Sequence, residues 1–272
     1  MIDKIGYINV DFKNNKMWAS AFTESKNCIK NIRCSADLVF VDIDEDTKST
    51  FGAPVKIGFS NLKKTVLALK QFPNRVDINF KLELTDAVSA TPDGQMHFAS
   101  YLILDDDELK ITIPCLDLSM SSIEIPDSSV RALVNHGDTT GISLSKTDIQ
   151  DIVKLLGYSS DSDYAYIGCD KKNISLSEDE YSKIIASNED YGFNEFKLRI
   201  KKNVFKYIDI DNQIMYIFPE FRQNPVNENI SLPPTIVIES DTGNIFTACC
   251  FALIDESEFE DTLEQSNYFE EK

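Results

Sequence analysis

Glycine, histidine, paired cysteines and long apolar runs are all scarce in this chain of 272 residues, and each scarcity removes a class of function. Ten glycines leave few of the flexible loops on which active sites often sit. The sequence has no phosphate-cradling glycine-rich loop, no G-x-S-x-G elbow and no H-E-x-x-H helix. Its histidines are His97 and His136, and Cys28, Cys34, Cys115, Cys169, Cys249 and Cys250 form no C-x-x-C pair. A zinc cluster is hard to assemble from that set, so no metal site is expected and the cysteines read as reduced thiols, most of them small core residues. Asp105-Asp106-Asp107-Glu108 lies between two apolar half-strands and reads as a solvated hairpin turn. No apolar run approaches the roughly 20 residues that span a bilayer. The N-terminus also lacks a basic-then-apolar leader layout, so no membrane partner and a cytoplasmic location are expected, the host cytoplasm for a viral protein. Cations are the minority as well: 27 Lys and Arg against 45 Asp and Glu give a net charge of −18. That balance excludes a protein that coats nucleic acid with its whole surface, but not one with a local basic face. A non-enzymatic binding or scaffolding role without a cofactor is the expectation.

What is present is repetition. Tyr7-Ile8-x-x-Asp11 followed by Lys13-Asn14 echoes Tyr166-Ile167-x-x-Asp170 followed by Lys171-Lys172-Asn173. Val55-Lys56-Ile57-Gly58-Phe59 running into a helical stretch echoes Phe196-Lys197-Leu198-Arg199-Ile200, which does the same. A hairpin built on Leu102-Ile103-Leu104 and Leu109-Lys110-Ile111-Thr112-Ile113 echoes one built on Ile236-Val237-Ile238 and residues 245–253. Any one of these is an alternating strand beside a polar turn. Their shared order indicates two copies of one β-rich unit, with length differences absorbed in surface loops.

Period-two alternation predicts strands at 5–12, 17–22, 37–44, 76–84, 96–104 and 109–115, then at 164–169, 173–177, 194–200, 213–219, 234–240 and 245–254. Pro92-Asp93-Gly94 reads as a turn. Helical spacing predicts a helix over 61–72 capped by Ser60, one over 146–156 capped by Ser145 with Gly157 as its stop, and a short one over 203–207. Residues 116–138 read as an extended connector, 178–190 as an acidic segment and 224–234 as a loop. From Asp255 onward eight carboxylates face Lys272 alone, a tail that reads either as a solvated solubility segment or as an interaction peptide anchored by Leu263, Tyr268 and Phe269.

The lysines carry the positive signal. Lys63, Lys64 and Lys70, then Lys146 and Lys154, then Lys201, Lys202 and Lys206 fall on helical stretches or their entries. They suit ordinary solvated helix faces. If duplication sets equivalent helices side by side, they also suit a basic surface that meets a phosphate backbone without reading sequence.

The paired β-rich halves, helix lysines, connector and acidic balance together resemble the DNA sliding clamp family, in particular its two-domain trimeric kind, proliferating-cell nuclear antigen and the phage processivity clamps. The resemblance rests on Ile142-Ser143-Leu144-Ser145-Lys146-Thr147-Asp148-Ile149 leading into a helix, on residues 196–208, and on the closing hairpin Thr235-Ile236-Val237-Ile238-Glu239 to Phe246-Thr247-Ala248-Cys249-Cys250-Phe251-Ala252-Leu253. It implies an α+β fold of duplicated clamp-like domains, antiparallel sheets with a few short helices on one face. The domains would be 1–118 and 139–255, joined by a connector over 119–138 and followed by the acidic tail 256–272. It further implies a polymerase processivity factor: a homotrimeric ring encircling duplex DNA of any sequence, tethered to a DNA polymerase and served by a clamp loader. Partner peptides would dock on Leu116, Leu118, Ile123, Ile125, Phe251 and Leu253, with Met120 helping. One departure stands out. Such clamps open with a strand and inner helix before the first hairpin, as the second half does with 145–157, whereas this chain starts almost at the hairpin, at Ile5. Either the first domain has lost that helix or the duplication is incomplete. Two other classes stay open: an acidic-tailed single-stranded-DNA-binding protein, which needs aromatics interleaved with Lys or Arg, with Tyr7, Trp18, Tyr101 and Tyr216 as unclustered candidates, and a virion or assembly structural protein.

Overall fold

The structure, a computed structural model, describes residues 5–23, 28–39, 52–59, 61–72, 79–84, 89–91, 94–105, 108–116, 127–156, 163–178, 180–224 and 231–253. The chain divides into two compact units, Met1–Ala132 with Asp241–Ala248, and Leu133–Ser240 with Cys249–Lys272.

In the first unit β1 (Ile5–Asp11), β2 (Lys16–Phe22) and β3 (Cys28–Ser35) form an antiparallel meander, and β4 (Val55–Phe59) pairs with the other side of β1, giving the order β4-β1-β2-β3. Asp11 sets the first turn: its carboxylate accepts from the Asn14 amide at 3.0 Å, and Asn15 takes φ 51, a conformation that Asn tolerates better than most residues. Ala36–Leu38 then forms a 3-10 turn held to that hairpin by the Ala36 amide donating to the Asn15 carbonyl at 3.3 Å. Helix α1 (Leu62–Leu69) follows β4, and β5 (Asn79–Leu84), β6 (Ser89–Thr91) and β8 (Lys110–Pro114) all pair antiparallel with the long β7 (Gly94–Asp105). The core lies among Val10, Met17, Val55, Ile57, Phe59 and Leu104, with Leu62 and Leu69 of α1 packed against it.

Helix α2 (Asp127–Val134) comes next, and the units divide near its end. The second unit continues with β9 (Ile142–Leu144) and α3 (Lys146–Leu156). A second meander follows, β10 (Tyr164–Cys169), β11 (Asn173–Glu178) and β12 (Tyr181–Ser187), with β13 (Phe196–Lys201) on the other side of β10. The order β12-β11-β10-β13 repeats that of the first unit strand for strand. The details repeat too. Asp170 accepts from the amides of Lys172 at 2.7 Å and Asn173 at 2.6 Å, and a 3-10 turn, Asn188–Asp190, follows β12 and donates back to the Lys172 carbonyl. After β13 a 3-10 segment, Lys202–Tyr207, stands where α1 stands in the first unit. A second sheet then places β14 (Gln213–Phe218) between β9 and β17 (Thr235–Asp241), after a small ribbon of β15 (Arg222–Gln223) and β16 (Ser231–Leu232). Strand β17 forms a hairpin with β18 (Ile245–Ala252), whose residues up to Ala248 belong to the first unit. Ile149, Ile152, Ile167, Leu176, Phe205 and Met215 surround one internal apolar space, so α3 and the 3-10 segment are packed between the two sheets.

Five expectations change. The cap of α1 is Asn61, which accepts from the Lys64 amide at 2.9 Å; Ser60 lies outside the described residues. At the start of the strand expected over 37–44, Ala36 to Leu38 form the 3-10 turn; residues 40–44 lie outside the described residues, and a strand not expected from the sequence, β3, precedes the turn. The expected extended connector contains α2, whose buried Val130, Ala132 and Val134 supply an apolar face. The acidic segment 178–190 contains β12, since Leu176 and Ser177 offer it an edge at Lys183 and Ser182. The 224–234 loop contains β16. Pro92 and Asp93 of the expected turn, Gly157, Lys206's side chain and the tail fall outside what the structure describes.

Candidate nucleic-acid and partner surfaces

Helix α1 forms because Leu, Lys and Ala dominate it and Asn61 caps it. It buries Thr65, packs Leu62 and Leu69 inward, and leaves Lys63, Lys64 and Lys70 exposed. Helix α3 begins with a reciprocal cap: the Asp148 amide donates to Ser145 Oγ at 3.2 Å, and the Ser145 amide donates to Asp148 Oδ2 at 3.0 Å. The Ser145 hydroxyl also donates to Asp148 Oδ2 at 2.6 Å, which lowers the Asp148 pKa more than the Ser145 amide or Lys183 does. Ile149, Ile152 and Leu156 point into the core and Lys146 and Lys154 into solvent. This face is mixed in sign. Lys154 lies 3.8 Å from Asp151, and Lys183 of β12 lies 3.1 Å from Asp151 and 3.4 Å from Asp148. Burial opposes the charge on Lys183, but the two carboxylates outweigh it and raise its pKa.

The remaining predicted lysines separate. Alternation along β13 turns Leu198 and Ile200 inward, so Lys201, opposite Tyr164, lies on the sheet face away from α3. Lys202 turns the other way and forms an ion pair with Glu178, both side chains largely buried at 11% and 1% exposure.

Of the predicted partner-docking residues, Leu116 is half-buried and donates its amide to the Gly58 carbonyl. Phe251 and Leu253 lie in the core, Phe251 stacked on Phe205 at 5.6 Å. Leu118, Met120, Ile123 and Ile125 lie outside the described residues. All six cysteines are free thiols. Burial pushes Cys115 up to about 11 and Cys250 to about 12, which holds both neutral. Among the described residues no group of three or more His, Cys, Asp or Glu is placed to hold a metal, and no helix is long and apolar enough to cross a membrane.

Sequence reasoning missed two features. The candidate aromatics are dispersed, with Tyr7 buried against Lys56 and Tyr216 stacked on His136. Tyr164 and Tyr166 instead share a sheet face with Lys197 and Arg199, signalled in sequence by Tyr-x-Tyr and Lys-x-Arg-x-Lys on strands that turn out to pair. Arg222 lies 3.6 Å from the Phe218 ring centroid and donates to the Leu133 and Asn135 carbonyls at the end of α2, a pairing across sequence that no local pattern signals.

No family model and no curated protein matches the sequence. Solved structures do match. A. fulgidus PCNA, bound to the C-terminal region of FEN-1, superposes with a TM-score of 0.53 at 13% identity over 93% of this chain and 90% of that one. Proliferating Cellular Nuclear Antigen from Entamoeba histolytica gives 0.55 at 14% identity with the same coverage. The Helicobacter pylori beta clamp bound to a DNA ligase peptide gives 0.53 at 13%, over 93% of this chain and 57% of that one. The chain therefore has the α+β fold of the sliding clamps, mostly antiparallel sheets, with β4 and β7 pairing parallel, and a few short helices.

Proposed function

We propose that this chain is a DNA polymerase processivity factor, a non-enzymatic ring that encloses duplex DNA and tethers the polymerase by topology. The observation that carries the reading is the strand-for-strand repeat on a clamp fold over 93% of the chain. A topological tether needs little phosphate affinity, which reconciles DNA binding with a net charge of −18. Lys63, Lys64 and Lys70 of α1 and Lys146 and Lys154 of α3 are the lysines that would face DNA. Lys201 and Lys202 contribute less, one by its face and the other by its buried partner.

Closure of a ring needs two different surfaces that meet head to tail. Two strand edges suit this. Among the described strands β8 pairs only with β7 and β12 only with β11. On β12, Tyr181 and Ile184 are 53% and 61% exposed, an edge that another strand would extend. The polymerase peptide would dock beside the connector, with Leu118, Ile123 and Ile125 as its apolar contacts, and a clamp loader would open the ring. Native mass spectrometry at micromolar protein tests the closure. The expected species is three copies of the 30.8-kDa chain. A monomer under the same conditions, with and without DNA, overturns the ring.

A further inference from the structure

The β10–β13 sheet of the second unit has two faces of different character. The inner one carries Ala165, Ile167, Leu198 and Ile200, all buried. On the outer one the register sets Tyr164 opposite Lys201, Tyr166 opposite Arg199 and Gly168 opposite Lys197. Lys197 Nζ lies 4.3 Å from the Tyr166 ring centroid, and the Arg199 guanidinium lies 5.7 Å from that of Tyr164 and 6.0 Å from that of Tyr166. The neighbouring strands add serines to this face, Ser177 beside Tyr166 and Ser175 beside Gly168, with the exposed Ile184 beyond Ser175. Within the paired strands no described carboxylate falls on it, and Asp170 and Glu195 stand just past its end beside Cys169 and Phe196, in a chain where carboxylates outnumber cations 45 to 27.

Cation–ring pairing by itself gives the fold little reason for this composition. Cation–ring pairs on an open sheet contribute only about 0.5–1 kcal/mol each, and serine or threonine would serve the strands as well. Alternating rings and cations along one sheet face are what a single nucleic-acid strand uses, its phosphates meeting the cations and its bases stacking on the rings. Tyr164 and Tyr166 are two residues apart, about 6.6 Å along the strand, so successive bases of an extended strand reach them. Duplex bases, already stacked inside a helix, do not.

We propose that the outer face of β10 and β13 binds single-stranded nucleic acid through Lys197, Arg199 and Lys201, with Tyr164 and Tyr166 as stacking platforms. The site is separate from the α1 and α3 lysines and goes beyond the ring reading, standing whether or not the chain encloses duplex DNA.

Fluorescence anisotropy of a dye-labelled oligothymidylate with the full chain tests it. Tyr166→Leu is expected to weaken binding about tenfold. Lys197→Gln with Arg199→Gln is expected to flatten the dependence of log affinity on log salt by about 0.7 for each phosphate no longer neutralised. Unchanged thermal midpoints show that neither variant acts by unfolding, and Tyr166→Phe, which keeps the ring, is expected to restore binding. A peptide of residues 255–272 and polyglutamate serve as acidic-peptide probes. No oligothymidylate binding by the unaltered chain, or binding indifferent to both variants, overturns the proposal. So does an acidic peptide that binds this face more tightly than the oligonucleotide, which would assign it to a protein partner. Retention of the same variants on circular duplex DNA reports the ring reading separately.

Discussion

The two units fold the same strands in the same order and differ in their helical parts. Both set four strands in one order around β1 or β10, a row that in the first unit continues from β4 into a parallel β7; both turn the first hairpin on an aspartate, Asp11 or Asp170, and both follow the third strand with a 3-10 turn. After the fourth strand they part. Leu62–Leu69 is an α-helix capped by Asn61, whereas Lys202–Tyr207, with Asn203, Val204, Phe205 and Tyr207, is a 3-10 segment with no side-chain cap. Weak helix formers and a missing cap account for the tighter winding. The difference reaches the lysines. Those of α1 are exposed on a regular helix, while Lys202 is drawn inward to Glu178. By strand register Lys202 stands where Asn61 stands, and Val204 and Phe205 stand where Lys63 and Lys64 do, so the second unit does not repeat the basic face of α1.

The largest effect expected from this contrast is on stability. Lys202→Ala leaves Glu178 buried without its cation and is expected to cost about 3–5 kcal/mol, whereas Lys63→Ala on α1 is expected to stay within about 0.5 kcal/mol. Urea unfolding of the two variants measures it, and equal midpoints would break the distinction. A charge reversal meant to probe DNA contacts should therefore leave Lys202 alone.

A smaller effect separates the caps. Ser145→Ala and Asn61→Ala are each expected to cost about 1 kcal/mol near neutral pH, but only the first depends on acid. The folded-state pKa of Asp148 is lowered chiefly by the Ser145 hydroxyl. Its contribution is thus present above the unfolded carboxylate value of about 3.9 and is lost as pH falls through the lower folded value. The gap between Ser145→Ala and the unaltered chain should shrink as pH falls below about 4, while the Asn61→Ala gap holds. Parallel thermal melts across that range check the sign.

Much of the sheet was legible in the sequence because alternation and turn chemistry are local. The hairpin at Lys13-Asn14-Asn15, the span of β10 and the cap and span of α3 all follow from residues within a few positions of one another. What was not legible depends on pairing. Nothing near Lys202 says that Glu178 waits for it, and Tyr-x-Tyr becomes a face with Lys-x-Arg-x-Lys only once β10 and β13 are known to be neighbours. Helix α2 was missed because Pro126 and Gly137 read as loop signals on either side of a short apolar face. The lysines of α1 and α3 were legible as exposed, but the DNA-facing arrangement proposed for them would be a property of an assembly and not of any segment.

Enclosure is the proposed means by which this chain holds DNA. It is tested most directly by loading the protein with its cognate loader on nicked circular duplex DNA, raising the salt, and measuring the fraction retained before and after one restriction cut opens the circle. Retention on the intact circle and release once a free end exists are the expected results. Equal retention on circular and open DNA, or loss from both at the same salt, would contradict enclosure.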